Sequence, residues 1–163
     1  MEHEKWVRKA LYSATQSLGF HYTPKNEIKR RILLLRAGME KSGIDAALIV
    51  QKMDFFYFTG TTQNGYLFIP VEGEPLLLIR RERERALIET PLETVTDIKS
   101  MRDLQRRIRE HQGKIPETLG LELDVLPVKD YFKYQDLFPG AKIMDIAGVI
   151  RDLRKIKSPF ELD

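Results

Sequence analysis

Three histidines, His3, His21 and His111, and five aspartates, Asp45, Asp54, Asp97, Asp124 and Asp145, are the side chains first tested for catalytic chemistry. Metal-assisted hydrolysis needs several carboxylates, usually with histidine, converging on one or two ions. The histidines lie far apart and none sits in an H-E-x-x-H or comparable spacing, so each reads as a surface or helix-end residue. Asp45 and Asp145 fall at opposite ends of predicted strands, and no spacing gathers the aspartates into a cluster. Ser13, Ser17 and Ser42 lack a Gly-x-Ser-x-Gly elbow, and Gly60 to Gly65 is neither a P-loop nor a dinucleotide fingerprint. With no cysteine there is no thiolate nucleophile and no zinc–thiolate site. The residues therefore name no catalytic group and no metal ligand.

Phe55, Phe56, Tyr57 and Phe58 form the most informative patch. Four consecutive residues on a helical turn cannot all face one core, so at least one ring points outward. An outward aromatic suits a binding site or an interface. A plainer reading stays open beside it: the rings pin a short helix against a sheet.

Periodicity supplies the elements that hold this patch. Trp6, Ala10, Ala14 and Leu18 recur on one face before Gly19, predicting a first helix. A second opens with Thr23 as cap and Pro24 at the first helical position, runs through Ile28, Ile32, Leu35 and Met39, and stops at Gly43. Ile44 to Val50 is nearly all apolar and reads as a strand buried on both faces. Asn64-Gly65 predicts a turn, then Tyr66 to Pro70 and Pro75 to Arg80 a hairpin around Val71 to Glu74. A short helix over Glu82 to Glu89, a strand over Val95 to Ile98, and a helix from Ser100 to His111 capped by Ser100 follow. Thr118 to Glu122 is a strand, Val128 to Phe138 a helix, Ala141 to Met144 the last strand, and Ala147 to Lys155 another helix. Ser158-Pro159-Phe160-Glu161 then starts a further helix with a capping box. Strands alternating with helices, plus one hairpin, predict an α/β fold: a mixed sheet covered by helices on both faces.

Composition bounds the rest. A chain of 163 residues with 42% hydrophobic content is about one domain with an ample core. The acidic start lacks a signal peptide's apolar run and nowhere do about 18 apolar residues run together, so the expectation is a soluble, cytoplasmic protein without a membrane partner. Net charge is only +3. Arg80 to Arg85 alternates sign with glutamates, and Arg102, Arg106, Arg107 and Arg109 share their helix with Asp103 and Glu110, which reads as solvated surface and argues against a nucleic-acid partner.

Three segments, in this order, carry a resemblance: Gly43 to Val50, then Asp54-Phe55-Phe56-Tyr57-Phe58-Thr59-Gly60, then Leu153-Arg154-Lys155-Ile156-Lys157-Ser158-Pro159-Phe160-Glu161. The second is similar to the Tyr-Leu-Thr-Gly segment, and the third to the Leu-Arg-x-Ile-Lys-Ser-x-x-Glu junction, of the creatinase, prolidase and aminopeptidase P superfamily of metallopeptidases. The resemblance implies a three-layer, ribonuclease-H-like N-terminal domain of the creatinase type over residues 25–157, preceded by a helical extension over 1–24. Residues 158–163 would then begin the family's pita-bread catalytic domain, cut short here. It further implies that two divalent ions, Mn, Co or Zn, are held by that following domain, whose ligands (two Asp, one His, two Glu) match no residue here. By motif matching, Phe56, Tyr57 and the loop Thr61, Thr62, Gln63 and Asn64 become candidates for substrate access or an interface. This chain departs from many relatives by placing Thr61, not a large apolar residue, directly after the glycine.

The expected function is that of a non-catalytic domain of an Xaa-Pro peptidase, restricting peptide access and holding subunits of a homo-oligomer together, with its own catalytic domain as partner. The alternative is a peptide- or protein-binding module of a catalytically degenerate member.

Overall fold

The computed structural model describes residues 2–17 and 22–162. In chain order the elements are α1 (Glu2–Ser17), α2 (Lys25–Lys41), β1 (Ala46–Ile49), α3 (Lys52–Thr59), β2 (Gly65–Pro70), β3 (Leu76–Ile79), α4 (Arg83–Glu89), β4 (Val95–Asp97), α5 (Met101–Gln112), β5 (Thr118–Leu121), α6 (Val128–Leu137), β6 (Lys142–Asp145), α7 (Ala147–Lys155) and α8 (Pro159–Leu162). All six expected strands are present: β1, β3, β4 and β5 are one to three residues shorter than their expected runs, β2 begins one residue earlier, and β6 is shifted by one.

The strands form one sheet in the order β4-β3-β2-β1-β5-β6. β2 runs antiparallel to both neighbours, and the remaining strands are mutually parallel. Alternation along β1 shows how the layers arise. Ala47 and Ile49 face a core built by Ile28, Ile32, Leu35 and Met39 of α2, Phe55 and Phe58 of α3, Ala86 of α4 and Ile150 of α7. Ala46 and Leu48 face the opposite core, closed by Leu104 and Ile108 of α5, Tyr134 of α6 and Phe138 just after it. With helices on both faces, the molecule is the mixed-sheet, three-layer α/β fold that the strand–helix alternation predicts.

Two local readings shift. Pro24, with φ −63° and ψ 150°, is the cap itself; its carbonyl accepts from the amides of Glu27 and Ile28, and Thr23 lies one residue too early to cap. Gly65 is the first residue of β2 rather than a turn residue, because a Cβ there would sit 2.3 Å from the Leu78 carbonyl oxygen across the ladder. The first helix ends at Ser17 among the described residues, with Trp6 67% exposed; Leu18 and Gly19, its expected stop, lie outside them. The Ser100 cap forms as read, its hydroxyl accepting from Asp103 N at 3.1 Å.

The arginine-rich surfaces are paired with acids: Arg85 with Glu89, Arg106 with Asp103 and Glu110, Arg151 with Asp124. No helix is long and apolar enough to cross a membrane among the described residues.

Ser158 and Glu161 cap each other. Ser158 N donates to Glu161 Oε2 at 3.0 Å, and Glu161 N to Ser158 Oγ at 3.3 Å. This box does not stand free: Ser158 is buried, and Glu161 reaches Arg31 of α2.

Candidate functional site

Residues 50–64 join β1 to β2 through α3. Gln51 starts the helix by accepting from Asp54 N through its side-chain oxygen at 2.8 Å. Gly60 ends it in the left-handed region at φ 73°, a conformation that favours glycine. Helical spacing distributes the four aromatics as their adjacency requires. Phe55, Tyr57 and Phe58 are buried, while Phe56 is 42% exposed. Tyr57 serves α2 as well as the core: its carbonyl accepts from Arg31 Nη1 at 2.7 Å, and the same guanidinium lies 4.1 Å above its ring.

The loop that follows is braced by one carboxylate. Glu89, at the end of α4, accepts from the Thr61 hydroxyl at 2.6 Å, from Gln63 Nε2 at 3.2 Å and from Arg85 Nε at 2.8 Å. Burial opposes ionisation of Glu89, but the hydrogen bonds from Thr61, Arg85 and Gln63 outweigh it and hold the carboxyl below its ordinary value. Thr90 holds the last residue of α3 in place, its hydroxyl donating to the Thr59 carbonyl at 2.5 Å. The loop thus behaves as part of the scaffold.

Of the six residues named from the sequence, Phe56, Thr62, Gln63 and Asn64 reach the surface, while Tyr57 and Thr61 are buried beneath them. Three of the exposed ones divide between two hollows, and Gln63 lines neither. Phe56 and Thr62, with Tyr22, Thr23, Gly60 and Glu89, line a cavity of about 190 Å³. Asn64 lies on a second hollow of about 360 Å³, which also takes in Gln51, Tyr66 and Tyr134.

The acids stay dispersed. Asp45 accepts from Thr118 N, Asp54 pairs with Arg154 at 2.7 Å, and Asp145 caps Ala147 N. His111 bonds the Glu74 carbonyl; the His3 side chain and His21 lie outside the described residues. Among the described residues no three His, Cys, Asp or Glu side chains are grouped to hold a metal ion.

Two acids with structural roles escaped the sequence reading. Glu89, half-buried, is one. Glu122 is the other: fully buried past the end of β5, it accepts from Val50 N at 3.0 Å and Gln51 N at 3.3 Å. Burial, reinforced by Asp54, pushes its carboxyl up to about 8 despite those amides. Neither residue sits in a motif, so only its contacts with distant segments reveal it.

Comparison with known proteins sets this geometry in a lineage. The chain is 29% identical over 140 residues to an Xaa-Pro dipeptidase of Pyrococcus furiosus, covering 83% of this chain and 38% of that protein. It is 26% identical over 167 residues to an uncharacterised hydrolase/peptidase of Sinorhizobium fredii, covering 85% and 40%. The chain thus spans about two fifths of the curated relatives it matches. Among solved structures, the prolidase from Pyrococcus horikoshii aligns with TM-score 0.71 at 26% identity, covering 82% of this chain and 37% of that one. The N-terminal domain of cytoplasmic peptidase PepQ from Mycobacterium tuberculosis aligns with TM-score 0.67 at 25% identity, covering 77% and 98%. A model of the creatinase/prolidase N-terminal domain matches residues 31–156, and the chain belongs to that family.

Proposed function

We propose that the chain serves as the non-catalytic N-terminal domain of a larger Xaa-Pro dipeptidase- or aminopeptidase-like protein, where it restricts access of the peptide substrate and helps hold subunits together. The observation that carries this reading is the braced loop: Thr61 and Gln63 are tied to Glu89, so Phe56 and Thr62 stand on a surface of fixed shape. A preorganised surface selects a substrate without an ordering cost at the moment of binding. Phe56, Thr62, Gln63 and Asn64 are the contact residues in this proposal, with Tyr57 and Thr61 positioning them from below.

Hydrolysis belongs, on this reading, to a following domain that holds two divalent ions, Mn, Co or Zn, and the Ser158 cap directs the chain into it. Cytoplasmic location and homo-oligomerisation of the longer protein complete the proposal; the PepQ relative is itself described as cytoplasmic.

The test has two arms. The 163-residue chain supplied with Mn²⁺ or Co²⁺ is expected to leave Xaa-Pro peptides uncut. In the full polypeptide of the native gene, Phe56→Ala with Thr62→Ala is expected to change KM for Xaa-Pro peptides while Tm stays put. Turnover by the chain alone, or unaltered kinetics in the variant, overturns the reading.

A further inference from the structure

The carboxyl ends of β1 and β5 enclose a crevice that the substrate-access role touches only through Asn64. The two strands are parallel neighbours. Yet the chain leaving β1 turns into α3 on one face of the sheet, and the chain leaving β5 turns into α6 on the other. Connections that diverge from adjacent parallel strands leave a gap outside the sheet edge, the place where open α/β sheets hold their ligands. Here the gap is the hollow of about 360 Å³ beside Asn64, between residues 50–52, 64–66 and 125–134.

Its lining divides by chemistry. Tyr66, Tyr134, Val125 and Leu126 supply an apolar wall, and Lys52, Lys133 and Asp130 supply charge. Tyr134 is buried, and the Tyr66 hydroxyl donates to Met101 Sδ at 3.4 Å, so both rings are held from behind. Lys133 Nζ stands 3.7 Å from Asp130, and among the described residues Lys52 forms no ion pair. Two cations against one acid leave the crevice positive. Glu122, behind it, has its carboxyl pushed up to about 8 by burial and is mostly uncharged near neutral pH, so it does not cancel that charge.

We infer that this crevice binds a small carboxylate with an apolar body, the size of an amino acid or dipeptide, with Lys52 and Lys133 on the carboxylate and Val125, Leu126 and Tyr66 against the apolar group. The volume sits near the lower end of the roughly 300–1,000 Å³ typical of small-molecule sites, which suits a ligand of this size. One surplus positive charge matches a monoanion better than a dianion, and ammonium–carboxylate hydrogen bonds are the stronger, charge-assisted kind. The inference does not depend on the substrate-access role.

The chain, ¹⁵N-labelled, would be titrated with N-acetyl-L-leucine, with N-acetyl-L-leucinamide and with inorganic phosphate while amide resonances are followed. Saturable shifts with the acid, centred on Gln51, Lys52, Tyr66 and Tyr134, are expected, with at most weak response to the amide and to phosphate. Lys52→Ala and Lys133→Ala each alter an exposed side chain, and each is expected to weaken binding about tenfold, the loss of one charge-assisted hydrogen bond. Equal response to the amide or to phosphate, unaltered binding in both variants, or no saturable shift at these residues overturns the inference.

Discussion

Oε1 of Glu161 stands 3.4 Å from Nη2 of Arg31, so the carboxylate that closes the Ser158 box also partners a guanidinium buried against α3. Arg31 bonds Glu27 at 2.9 Å and the Tyr57 carbonyl at 2.7 Å as well, tying three elements through one side chain. Removing one member of a buried charge network strands the others without water, at about 3–5 kcal/mol. Arg31→Met is expected to lower stability by that order in urea unfolding. Glu161→Gln, at the edge of the network, is expected to cost far less and to appear as faster amide exchange over residues 158–162.

Glu89 makes the loop's order dependent on acid. Its carboxyl titrates below its ordinary 4.5, so the stabilisation is complete above 4.5 and is lost as pH falls through the lower folded value. Amide exchange at Thr61 and Gln63 is expected to accelerate as pH drops below the ordinary 4.5, after correction for intrinsic rates. In Glu89→Ala the loop is expected to exchange fast at every pH, with a loss of about 1–3 kcal/mol from the unpaired Thr61 hydroxyl.

For Glu122 the sign is opposite. The folded carboxyl, at about 8, holds its proton through a range in which the unfolded one, near 4.5, has released it. Stability is therefore expected to fall as pH rises from 4.5 to 8, with a slope of up to about 1.4 kcal/mol per pH unit, and to level off above. Glu122→Gln is expected to flatten this dependence, because Gln can still accept from Val50 and Gln51 without titrating. Urea midpoints at pH 5, 6.5 and 8 would decide; an equal slope in both proteins contradicts the assignment.

Adjacent aromatics should behave unlike one another. Phe58 is fully buried, and Phe58→Ala is expected to cost about 3–5 kcal/mol. Phe56→Ala, at a ring 42% exposed, is expected to cost under about 1 kcal/mol. Thermal unfolding of the two variants distinguishes a ring kept for contact from rings kept for the core.

Glycines give a matched control. Gly65→Ala drives a Cβ to 2.3 Å from the Leu78 carbonyl and is expected to lose about 1–3 kcal/mol. Gly148, in α7, has open space around its Cβ direction, so Gly148→Ala is expected to gain up to about 1 kcal/mol. Chemical denaturation of both checks the local geometry.

Much of the scaffold was legible because its signals are local. Ile28, Ile32, Leu35 and Met39 declare a helix face, Gly43 declares its stop, and Ser158 with Glu161 declares a cap within four residues. The misread start at Thr23-Pro24 differs by one residue, because proline fits both the cap and the first helical position. Adjacency in the chain showed that one of four aromatics must face outward, but not that it is Phe56. Glu89 and Glu122 were illegible for a different reason. Their partners lie as far as 28 and 72 residues away, so nothing near either glutamate announces its role.

The position of β1 inside the sheet also has a consequence for synthesis. Residues up to Asp97 contain β4, β3, β2 and β1, whereas β5, the other neighbour of β1, comes only at Thr118–Leu121. As the ribosome extends the chain, Ala46–Ile49 waits with one row of amides and carbonyls uncovered, in an all-apolar strand and without a charge to repel a neighbour. The nascent half is therefore the sticky form of this protein, and chaperone demand should peak before Leu121 leaves the exit tunnel.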